Sequence, residues 1–139
     1  MNIRRVRMYY YLLYLGVARN EFNENDFNFL LEQSRSRNKI LNVTGKLLHC
    51  EGTFLQLLEG KEEQVREVYD SIKIDDRLVA VKLITVGYAK ERYYKNWTMA
   101  FKDVSLAEIN ELENCSHLNV SSYVKNASAI KLLKLLAKA

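Results

Sequence analysis

Three side chains far apart in the chain suit hydrogen-bonded chemistry: the phenol of Tyr14 and the carboxamides of Asn38 and Gln56. A carboxamide carries a donor and an acceptor on one group, and a phenol O–H can play either part. Gln56 stands out because of its neighbours. It lies in Thr53-Phe-Leu-Gln-Leu-Leu-Glu-Gly60, where alternation places Phe54, Gln56 and Leu58 on one face of a strand. Thr53, Leu55, Leu57 and Glu59 take the other face. Both faces are largely apolar, as in a strand covered on both sides, so a buried amide here must find partners. Trp97 and Met99 can join the same group. Two readings follow: a satisfied polar cluster in a core, or a groove that holds a ligand with a polar edge.

Other chemistries find less support. His49 and His117 are the only histidines, and neither stands in a nucleophile-and-base motif. Cys50 and Cys115 lack metal or redox spacing and are expected to be free thiols. There is no P-loop, dinucleotide glycine motif or metal constellation. An acylphosphatase-like hydrolase needs an anion-binding loop after the first strand, and Gly16-Val-Ala-Arg19 is a faint trace of one. An RNA-recognition module needs stacking aromatics on its central strands, where Phe54 stands alone.

The elements that must position Tyr14, Asn38 and Gln56 can be read from periodicity. Arg7 to Leu15 is expected to be a strand, followed by a polar turn region from Gly16 to Asn23. Asn23 or Asn25 caps a helix running to about Asn38, with Phe27, Leu30, Leu31 and Ser34 on one face and Asn38 ending that stripe. Val43 to Cys50 and the Thr53 strand form a hairpin turning at Glu51-Gly52. A second helix from Lys61 to about Asp75 presents Val65, Val68, Tyr69 and Ile72. Strands follow at Val79 to Tyr88 and Trp97 to Val104, the last placing Trp97, Met99 and Phe101 on one face. The order is β-α-β-β-α-β-β: an α+β, ferredoxin-like sheet with two helices on one face and one extra strand. The first and third strands are then central neighbours. Residues 1–104 are assigned to this unit and 105–139 to a helical extension. In the extension, Leu106 to Leu112 reads as a short helix. Ala129 to Ala137 is amphipathic, with Ile130, Leu133 and Leu136 on one side and Lys131, Lys134 and Lys138 flanking. This tail is expected to pack on the open sheet face or on a partner.

The 139 residues carry a net charge of +4, spread thinly apart from Arg4, Arg5 and Arg7, so nucleic acid is not indicated as a partner. The densest apolar run, Met8 to Val17, is too short to span a membrane, and no cleavage site follows it. A cytoplasmic protein without membrane association is expected.

These residues carry a resemblance. From about Met8 to Asp103 the chain resembles a BLUF domain, the FAD-binding blue-light sensor of bacteria and some eukaryotes. The resemblance rests on LLYLG around Tyr14, SRSRNKILNVTGKLL from Ser34, GTFLQLLEG from Gly52, DDR ending at Arg77 and RYYKNWTM ending at Met99. It implies a non-covalent flavin, FAD with FMN or riboflavin as alternatives, lying between the two helices. Asn38 would bond the polar ring edge, and Gln56 would bridge Tyr14 to the flavin N5 and C4 carbonyl. Arg37 matches a second ring-side position, Arg77 lies toward the ribityl-phosphate end, and Leu31 and Ile72 are candidate walls. Light would draw an electron and a proton from Tyr14 through Gln56, leaving that amide rotated or tautomerised and the spectrum shifted to the red. Trp97 and Met99 would carry the output. Gly16, Lys46 and Leu78 depart from the family pattern, where a small hydroxyl, an aliphatic and a histidine are usual. By this resemblance the protein is a sensor with no enzymatic activity, followed by no effector domain. It would signal through an unknown downstream protein or its own oligomer. The rivals are a flavin-free ferredoxin-like interaction module and the hydrolase.

Overall fold

The computed structural model describes residues 8–108 and 129–139. Its elements are β1 (Tyr9–Ala18), α1 (Glu24–Ile40), β2 (Thr44–Cys50), β3 (Thr53–Gly60), α2 (Glu62–Lys73), β4 (Leu78–Ala89), β5 (Ala100–Asp103) and α3 (Ala129–Lys138). The five strands lie in the order β4-β1-β3-β2-β5. All pairs are antiparallel except β2 with β5. The sheet is therefore mixed, with β1 and β3 at its centre.

Local chemistry explains the elements. Asn23 caps α1 through a reciprocal capping box with Asp26, satisfying two backbone donors that would otherwise be orphaned. The hairpin turns at Glu51 and Gly52, both at positive φ (47° and 82°), the pattern of a turn whose twist suits the flanking strands. Gly45 is required for a different reason. A Cβ there would lie 1.9 Å from the Leu57 carbonyl oxygen, so only glycine lets β2 approach β3 at this point.

Two expected strand bounds are corrected. β1 does not stop at Leu15: Gly16 and Val17 pair with both β3 and β4, and this two-sided pairing overrides the turn signal. The last strand does not begin at Trp97. Its ladder to β2 starts at Ala100, and the three residues before it are held by other bonds described below. Met99 is buried while Trp97 is 57% exposed, so the two do not share an inward face.

The sheet is covered on both sides. On one face Tyr10, Leu12, Tyr14, Leu47, Phe54 and Leu58 pack with Leu31 of α1 and with Val65, Val68 and Ile72 of α2. On the other, Leu13, Leu48, Leu55 and Leu57 pack with Leu132, Leu135 and Leu136 of α3. The expected contact stripe of α3 is thus rotated. Leu133 is half-buried and Leu132 and Leu135 take the core, because leucines occupy two adjacent stripes and the sheet selects one. The side chains of Ile130 and Lys131, most of the Leu106–Leu112 segment, Arg4, Arg5, Arg7, Cys115 and His117 lie outside the described residues. No described helix is long and apolar enough to cross a membrane, and the described residues hold no metal-ligating cluster.

Candidate functional site

Register brings the central pair together. Tyr14 of β1 stands directly opposite Gln56 of β3, and Gln56 is opposite Leu47 of β2. Gln56 is 3% exposed and Tyr14 4%. Burial pushes the Tyr14 phenol well above its ordinary value, the nearby Arg37 guanidinium opposing this only in part. A phenol so protected stays protonated and must donate. Its O–H donates to Oε1 of Gln56. That leaves Nε2 of Gln56 to donate to a different partner, the thioether Sδ of Met99, at 3.1 Å. The result is a directed chain: phenol, amide, thioether.

Asn38 is fully buried at the last turn of α1. Its Nδ2 donates to the Thr98 carbonyl at 2.8 Å, its backbone carbonyl accepts from Val43 N–H at 2.8 Å, and its Oδ1 receives Arg37 Nε at 3.4 Å. That long bond is the one protein acceptor Arg37 finds among the described residues. Burial lowers the affinity of its guanidinium for its proton.

A narrow cleft, with about 30 Å³ of free volume, lies beside this chain, between α1, α2 and the sheet. Tyr14, Gln56, Arg37 and Ile72 line it, with Arg77 and Asp75 toward its mouth. Arg77 grips Asp75 in a fork, Nη2 to Oδ2 at 2.6 Å and Nε to Oδ1 at 3.0 Å, and holds its carboxyl below the usual range. Arg77 Nη2 also donates to Gln33 Oε1 at 3.0 Å, tying the end of α2 to α1.

Of the residues expected at the site, Tyr14, Gln56, Arg37, Ile72 and Arg77 line the cleft. Asn38 sits behind it. Leu31 is corrected: it is buried in the core, and Leu30 lines the cleft instead. Met99 reaches Gln56, whereas Trp97 does not enter the site. Phe22, Leu47, Phe54 and Leu78 complete the apolar walls. Phe54 and Leu47 were findable, since they share the Gln56 face or oppose it. Phe22 comes from the loop before α1, where no periodicity marks it.

The cleft combines apolar walls, one polar side of donors and acceptors, and guanidinium groups from Arg37 and Arg77. A planar heteroaromatic group bearing carbonyls along one edge and an anionic tail fits that donor set. A family model described as BLUF, sensors of blue-light using FAD, matches residues 9–100. The chain belongs to the BLUF family. It is similar to the photoactivated adenylate cyclase subunit beta-like protein FB of Euglena gracilis, with 30% identity over 89 residues, 63% of this chain and 10% of that protein. It is also similar to the blue light- and temperature-regulated antirepressor BluF of Escherichia coli, 31% identical over 101 residues, 73% of this chain and 25% of that one. The chain therefore spans a tenth to a quarter of the length of these relatives. Among solved structures, the dark-state structure of the BLUF protein BlrB superposes with a TM-score of 0.75 at 22% identity, covering 96% of each chain, which shows the shared fold. BLUF domains are flavin-using blue-light sensors, and this chain carries the domain.

Proposed function

We propose that the protein is a blue-light photoreceptor that binds FAD non-covalently in the cleft beside Tyr14 and Gln56. The observation that carries this reading is the buried phenol–amide–thioether chain on the wall of a cleft with guanidinium groups at its polar side. Arg37 would meet the polar ring edge with Asn38 behind it accepting from its Nε. Ile72 and Leu30 would meet the ring faces, and Arg77 the phosphates, exchanging part of its grip on Asp75 for them. When bound, the flavin supplies the absorption of blue light and a one-electron oxidant.

The protein's own part follows from hydrogen-bond chemistry. A phenol that loses an electron becomes a strong acid, and the Tyr14 proton has a ready path along its bond to Gln56 Oε1. The site excludes bulk water, so the proton is not lost to solvent. When electron and proton return to Tyr14, the Gln56 amide is left turned or as its tautomer. Its donor then no longer serves Met99, and that local change biases the segment leading into β5. The same family holds cyclase and antirepressor proteins, which supports signalling through a protein contact, to a partner or a second copy of this chain.

Absorption spectroscopy before and after blue illumination tests the reading. The purified protein is expected to be yellow and to shift to the red reversibly. Gln56→Leu is expected to keep the flavin and lose the shift. A normal shift in that variant would refute the bridging role, and a colourless protein that takes up no flavin would refute the receptor.

A further inference from the structure

The segment before β5 has a clamp of its own. Three successive carbonyls, those of Trp97, Thr98 and Met99, each accept from a different donor: Gly45 N–H of β2 at 3.1 Å, Asn38 Nδ2 at 2.8 Å and Arg35 Nε at 3.1 Å. Two of the three donors are side chains of α1 spaced three residues apart, hence on one helix face. This clamp, in which Gly45 supplies a single bond from β2, sets the segment, since the regular ladder to β2 begins only at Ala100. The outcome is that Met99 turns inward, 1% exposed and bonded to Gln56, while Trp97 stays out.

Arg35 is the member of the clamp with no other assignment. It makes no ion pair among the described residues, and its side chain lies outside the cleft lining. Its bond to the Met99 carbonyl is charge-assisted, the stronger kind. An N–H to thioether bond is weak by comparison, because sulfur is a poor acceptor. Core burial holds the Met99 side chain inside, and the carbonyl bond, stronger than the sulfur contact, fixes the backbone from which the thioether reaches Gln56.

We infer that Arg35 is a positioning residue, a latch on the Met99 carbonyl that keeps the thioether against Gln56 and so holds the amide in its dark orientation. The signalling consequence rests on the photoreceptor reading above; the latch itself does not. With the latch closed, Gln56 has a donor at Oε1, the Tyr14 phenol, and an acceptor at Nε2, the Met99 thioether. With it open, Met99 is free to withdraw and the amide loses the partner that orients Nε2.

The chain holds three methionines, which makes the test clean. The ε-methyl NMR signals of Met8 and Met99 are measured in the dark for the protein as purified, for Arg35→Ala and for Arg35→Lys. The alanine variant is expected to move the Met99 signal toward the position of a solvent-exposed methionine, with Met8 unmoved. The lysine variant, which retains a cationic donor, is expected to keep most of the native position. Arg35 is exposed on its helix, so neither change empties a core site. A Met99 signal unchanged in Arg35→Ala would overturn the latch, and so would equal displacement in both variants. Failure of the receptor reading is a separate result, seen as a wild-type spectrum that illumination leaves unchanged.

Discussion

Tyr14 shows how much a single environment decides. The same phenol at the surface would be an ordinary donor; here burial between sheet and helices holds it protonated. The sign of the resulting pH dependence can be worked out. Below pH 10 both folded and unfolded states keep the proton, so this group adds no pH dependence. Above pH 10 the unfolded chain ionises Tyr14 first, and stability falls by up to about 1.4 kcal/mol per pH unit from this group alone. Tyr14→Phe removes that loss. The gap in stability between wild type and Tyr14→Phe is expected to narrow, or to turn in favour of the variant, between pH 10 and 12 in urea titrations. A constant gap would mean the phenol is not desolvated in solution. On the proposed reading, the same variant is expected to bind flavin and to show no light-induced red shift, since its ring has no phenolic proton to pass to Gln56.

At the scale of elements, α1 contributes most to the site: Ser34 and Arg37 line the cleft, Asn38 is buried behind it, and the exposed Arg35 reaches the Met99 carbonyl. It must therefore start and stop in register. Asn23→Ala deletes the side-chain half of the capping box and is expected to cost about 1 kcal/mol, readable as a fall in Tm of a few degrees. Because Asn23 itself does not line the cleft, the flavin spectrum should not change. The hairpin is less forgiving. Gly45→Ala places a methyl against the Leu57 carbonyl, where no rotamer relieves the clash, so β2 must separate from β3 and carry Leu47 and the Trp97 anchor with it. Loss of soluble folded protein is the expected outcome, and recovery of a normally stable Gly45→Ala variant would disprove that close approach.

For the whole molecule, the two faces of the sheet separate tasks. The α1/α2 face holds Tyr14, Gln56 and the cleft, and the α3 face closes the second core. Leu136 is fully buried there, and Leu136→Ala is expected to cost about 2–5 kcal/mol, the range for a large core truncation. Its light-induced shift should nonetheless match wild type in whatever protein remains folded. A spectral change in that variant would show that α3 communicates with Gln56 across the sheet.

The sequence alone determined the order of elements, the hairpin turn and the central β1–β3 pairing, and it narrowed the α1 cap to Asn23 or Asn25. These depend on spacing and on local backbone chemistry, which a linear chain displays. It also singled out Gln56, because a carboxamide in an apolar strand is conspicuous wherever that strand lies. Only the tertiary structure decided which leucines of α3 meet the sheet, which of Leu30 and Leu31 lines the cleft, and that Met99 rather than Trp97 turns inward. The leucine choices compare identical side chains at neighbouring positions, and Trp97 and Met99 are both largely apolar and two residues apart. What separates them is the shape of the surface opposite and the bonds from Arg35, Asn38 and Gly45, groups more than fifty residues away along the chain from the carbonyls they hold.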